Sequence, residues 1–84
     1  MNADRYAPGE IIVIFVDGTT EDEARHIIAE AGFTISTWIA PGLTIAYVND
    51  VPHGEEVAAC SIFNAMDSVE HAERSPLRGI AKAD

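Results

Sequence analysis

Cysteine, basic residues and aromatics are what this 84-residue chain has least of, and each scarcity excludes a class of protein. A lone Cys60 cannot build a disulfide framework, a paired redox motif or the twin thiolates of a copper carrier. Five bases against fourteen acids leave a net charge of −9, which opposes binding to nucleic acid or to an anionic membrane. An RNA-binding sheet also needs stacking aromatics on a basic face, whereas Phe15, Trp38 and Tyr47 are scattered along an acidic chain. No stretch approaches the ~20 apolar residues that cross a bilayer. Residues 1–6 hold no signal-peptide core, so the chain as it stands is expected in the cytoplasm, or secreted if it is an excised piece without its leader.

Catalytic chemistry is equally sparse. His26, His53 and His71 have no metal-ligand spacing, Cys60 has no base beside it in sequence, and no carboxylates form an acid/base pair. No enzyme activity, metal or cofactor is expected. Charge is uneven: Arg74, Arg78 and Lys82 make a mildly basic end to an acidic body.

What the chain does have is a strong first strand. Ile11-Ile12-Val13-Ile14-Phe15-Val16 is unbroken apolar sequence between Pro8-Gly9 and Asp17-Gly18. Alternation sends Ile11, Val13 and Phe15 one way and Ile12, Ile14 and Val16 the other. Both faces therefore need cover, and one apolar triplet points away from any helices packed on the other.

Thr20 and Glu23 then form a capping box. Ala24, Ile27, Ile28 and Ala31 follow on one helical face, and Gly32 stops the helix. Phe33–Ile39 and Leu43–Val48 read as a hairpin about Pro41-Gly42. Glu55–Met66 carries Val57, Cys60, Ile62, Phe63 and Met66 at mostly helical spacing, and Val69–Glu73 suits a last short strand. An extended tail is expected from Arg74 onward, giving a domain over residues 1–75 and a tail over 76–84. The order β-α-β-β-α-β predicts an α+β, ferredoxin-like fold, with two helices on one face of a four-stranded antiparallel sheet.

Pro8-Gly9-Glu10-Ile11-Ile12-Val13, Ala31-Gly32-Phe33, Val51-Pro52-His53-Gly54-Glu55-Glu56-Val57 and Val69-Glu70-His71-Ala72-Glu73 together resemble the N-terminal prodomains of subtilisin-like serine proteases. Small free-standing propeptide-like inhibitors share that fold. The resemblance covers residues 6–75 in the same order. It implies an inhibitor and folding chaperone that lays its open sheet face on two surface helices of a protease and inserts its tail in the active-site cleft. By position, that face includes Ile12, Ile14, Val16 and Trp38, although the residues alone equally allow Trp38 a place in the core. Glu73 matches an acid that caps the protease helices, with Ser75 where a second acid usually stands. Arg78, Gly79, Ile80 and Ala81 then fall on the substrate subsites. Ile14 and Val16 stand where lysines are common in that family, and Asp67-Ser68 where Pro-Gly is usual. A homodimer that buries the greasy triplet sheet-to-sheet, without any inhibitory role, is the alternative the residues leave open.

Overall fold

A computed structural model describes residues 6–39 and 44–76 of the chain. The long apolar run is the middle of β1 (Tyr6–Phe15), and it is followed by α1 (Glu21–Glu30), β2 (Ile35–Ile39), β3 (Ile45–Val48), α2 (Glu56–Asn64) and β4 (Val69–Pro76). The four strands are antiparallel in the order β2-β3-β1-β4, the ferredoxin-like arrangement, with β1 central. The expected Pro41-Gly42 turn and Leu43 lie outside the described residues.

Local chemistry sets the ends of α1. Thr20 Oγ1 accepts from the Glu23 N–H at 3.1 Å while Glu23 Oε1 accepts from the Thr20 N–H at 3.0 Å, so two otherwise orphaned donors are satisfied. At the other end Gly32 takes φ +96°, and its N–H reaches Ala29 O at 2.9 Å while Phe33 N–H reaches Ile28 O at 3.1 Å. That pair of bonds is a Schellman closure, and it folds Phe33 back toward the core.

Both helices lie on one face of the sheet. Ile11, Val13 and Phe15 are buried in a single cluster with Ala24 and Ile28 of α1 and Ala59, Cys60 and Phe63 of α2. Phe33 and Phe63 meet at 6.2 Å between ring centroids.

Three boundaries differ from the sequence reading. The inward row of α2 is Glu56, Ala59, Cys60 and Phe63, while Val57 and Ile62 are exposed. The stripe thus starts on a carboxylate, a placement hydrophobic periodicity does not reveal. Pro8-Gly9 does not precede the strand but sits inside it. Pairing passes from Tyr6–Pro76 to Ile11–Arg74, so residues 7–10 of β1 oppose Ser75 alone; Gly9 at φ +76° makes this bulge. Finally, Arg74, Ser75 and Pro76 belong to β4 rather than to a tail, because the leg of β1 before the bulge provides a partner for them.

β4 is an edge strand, and its outer side is partly closed. The Asn64 side-chain amide donates to Ala72 O at 3.0 Å and accepts from Ala72 N–H at 2.9 Å. Two backbone groups that would otherwise invite a foreign strand are thereby occupied by α2.

Candidate functional site

The sheet face away from the helices is built from two cross-strand rows. Thr37, Tyr47, Ile12 and Glu73 form one; Ile39, Ile45, Ile14 and His71 form the other. Ile12, Ile14, Ile45 and Tyr47 occupy the middle, Thr37 and Ile39 stand on the β2 edge, and Glu73 and His71 stand on the β4 edge. Glu73 is 53% exposed and its Oε1 lies 3.3 Å from His71 Nε2.

This face is less exposed than the apolar triplet alone suggests. Ile12, flanked by Tyr47 and Glu73, retains only 9% exposure, Ile14 is half-buried, and Val16 at 39% is the exposed member. Cross-strand neighbours cover side chains that a single-strand reading leaves bare.

Trp38 and Ser75, both expected to meet a partner, lie elsewhere. Trp38 pairs with Ala46, a core residue, and packs against Phe15 at 6.1 Å between ring centroids. A register shift between Ile35 and Thr37 sets that phase, so Trp38 joins the helix-covered side. Ser75 is fully buried opposite the β1 bulge, and its hydroxyl has no hydrogen-bond partner among the described residues; in this fold it cannot reach a partner surface. Arg78, Gly79, Ile80 and Ala81 lie outside the described residues.

The strongest polar feature was invisible in the sequence. Glu56 is buried at the start of α2, where Oε2 accepts from the Gly9 N–H at 2.7 Å and Oε1 from the Gly54 N–H at 2.9 Å. Val51 N–H closes the loop by donating to Gly9 O at 3.1 Å. The Gly9 hydrogen bond, with further help from the Glu56 and Gly54 backbone and the Arg74 charge, holds the Glu56 carboxyl below its ordinary pKa despite its burial. Pro8-Gly9 and Val51-Pro52-His53-Gly54-Glu55-Glu56 are therefore two halves of one structural clasp. Arg74 lies beside it, its guanidinium 4.2 Å from the Tyr6 ring centroid.

Burial pushes the Cys60 thiol up, only partly offset by the Arg74 charge, which leaves a protonated core side chain rather than a nucleophile. Among the described residues no group of three His, Cys, Asp or Glu is placed to hold a metal ion, and no helix is long and apolar enough to cross a membrane. No family model, curated protein or solved structure matches the chain.

Proposed function

We propose that the chain is a propeptide-like inhibitor and folding assistant of a subtilisin-family serine protease, without catalysis of its own. The observation that carries this reading is the juxtaposition on the open face. A row of apolar side chains ends at Glu73, an exposed carboxylate directly across from Ile12. Such a face suits a helical surface whose N-termini want an anion, because free N–H groups and the positive dipole end both favour a carboxylate there. The ordered resemblance of residues 6–75 to protease prodomains supplies the partner class, and the β-α-β-β-α-β order is the one that class requires. Residues 77–84 follow β4 directly and serve as the substrate-like tail.

A panel of subtilisin-type proteases tests this. The full chain is expected to inhibit at least one at sub-micromolar concentration, with strong weakening on deletion of residues 77–84, which leaves β4 intact. Absence of inhibition across the panel overturns the reading. Because binding selects the folded chain, inhibition should also decline with destabilising substitutions in the core.

A second reading is favoured by the apolar centre itself. Ile12, Ile14, Ile39 and Ile45 share one face, and a homodimer stacked through it would bury them. A stable interface needs about 1,200 Å² or more of buried surface, and the net charge of −9 works against self-association. Sedimentation across a concentration and salt series separates the two readings.

A further inference from the structure

β4 is held unequally along its length. Ala72 and Glu73 pair with Val13 and Ile12 on the inner side, and Asn64 grips the Ala72 backbone on the outer side. Beyond Glu73 the ladder thins: Arg74 pairs with Ile11 and Pro76 with Tyr6, while Ser75 stands opposite the bulge. Pro76 has no N–H to contribute. The Gly9 backbone is committed to the α2 side of the bulge, its N–H to Glu56 Oε2 at 2.7 Å and its carbonyl to the Val51 N–H at 3.1 Å. Two buried polar atoms without a hydrogen-bond partner among the described residues, Arg74 Nε and Ser75 Oγ, belong to this same end of β4. Burying such groups costs free energy that contact with water returns. The Arg74 guanidinium over the exposed Tyr6 ring works the other way and keeps the end closed, but a cation–π contact at an exposed site is weak.

We infer that Arg74-Ser75-Pro76 is a releasable strap, which leaves β1 when a docked protein takes up the chain that follows it. The release stands on the strand geometry alone; its use in docking rests on the reading above. The hinge falls after Glu73, because Asn64 anchors Ala72 and Glu73 keeps its place opposite Ile12. The β1 leg stays behind, since Glu56 and Val51 hold Gly9 without help from β4. Opening of this kind is local and draws on the least well fastened end of a strand, and a partner that binds the open form biases an equilibrium already present. Release frees Ser75, which the closed strand shuts away from any partner, and lengthens the free segment by three residues, about 10 Å of extended chain.

Native-state amide exchange on the full chain, followed by NMR, tests the release without any protease. The Ser75 N–H should exchange about a hundredfold faster than those of Ile12 and Glu73, although Ser75 is fully buried. Exchange at Ser75 as slow as at Glu73 overturns the strap. A reversible lock tests its use. Tyr6 and Pro76 are register partners, close enough for a disulfide between the strands, so the double variant Tyr6→Cys, Pro76→Cys is compared oxidised and reduced; Cys60 is buried and stays out of the pairing. Against a protease that the wild type inhibits, oxidation should raise the inhibition constant about tenfold, and a thiol reductant should restore it. The reduced form controls for the lost contact between Arg74 and Tyr6. Equal inhibition constants in the two forms overturn release on docking. Fast Ser75 exchange in a chain that inhibits no protease supports the strap and overturns the docking reading instead.

Discussion

The backbone N–H of Gly9 donates a 2.7 Å hydrogen bond to the Glu56 carboxylate, 47 positions away in the chain. That single contact ties the β1 bulge to the first turn of α2, and Gly54 supplies a second donor to the same side chain. A carboxylate is suited to the place because both partners are N–H groups, one of them at a bulge and the other just ahead of a helix N-terminus. The bulge in turn decides where β4 can continue and why Ser75 is buried.

Glu56→Gln should lower the melting temperature by several degrees at neutral pH. The amide offers one acceptor where two donors converge, leaving one N–H opposed by an NH₂ group. Thermal unfolding monitored by circular dichroism checks this, and an unchanged melting temperature would show that the clasp is incidental to stability.

The same carboxylate makes the fold acid-sensitive. Its pKa is lower folded than unfolded, so its contribution is fully present above the ordinary value of 4.5 and is lost as pH falls through the lowered one. Urea unfolding of the wild type should therefore weaken progressively below pH 4.5, the ordinary value. Glu56→Gln should show a flatter profile over that range; parallel profiles would assign the acid sensitivity to other carboxylates.

Gly9→Ala should destabilise more than Gly18→Ala. Both glycines have positive φ, +76° and +91°, which costs a side chain about 1–3 kcal/mol. At Gly9 an added Cβ would also come within 2.8 Å of Val51 O and 3.2 Å of His53 Cδ2, whereas nothing lies within 4 Å at Gly18. Equal denaturation midpoints for the two variants would contradict the close approach.

Asn64→Ala removes both bonds from α2 to Ala72. A loss of about 1–3 kcal/mol is expected from leaving these backbone groups unmet. The uncovered β4 edge should also raise aggregation on heating, readable by light scattering. Loss of stability without added aggregation would separate the two roles.

Ile14→Lys addresses the open face directly. Ile14 lies between Ile45 and His71 and is half-buried, so the lysine stem can run along the row with its ammonium in water, at a cost of about 1 kcal/mol. A wild-type dimer that becomes monomeric in this variant would establish the homodimer reading. A monomeric wild type whose protease inhibition survives the change would favour docking to a foreign surface.

Much of the architecture was legible along the chain. Thr20 and Glu23 stand three apart and meet within one helical turn, so the start of α1 needed no tertiary information, and Gly32 likewise marked its end. Ile11–Val16 announced a central strand because only covered faces tolerate unbroken apolar sequence. The β-α-β-β-α-β order then left few ways to assemble the sheet. Alternation only separated Ile12 and Ile14 from Ile11 and Val13; the resemblance chose which set faces outward and singled out Glu73, and the pairing registers put Ile12, Ile14 and Glu73 on the face away from the helices.

The rest depended on register and on contacts distant in sequence. Trp38 changed face because one irregularity between Ile35 and Thr37 shifts every later side chain of β2, and strand periodicity carries no mark of where such a shift occurs. Glu56 looked like one more acid in a helix's first turn; only folding brings Gly9 and Gly54 to it. Ser75 followed Glu73 as if at a strand's frayed end, yet the bulge opposite buries it. The chain's local patterning determined its elements and their order, because caps and alternation act between near neighbours. The tertiary structure alone decided which polar groups became a clasp and which residues face outward, because those depend on pairings across the sheet.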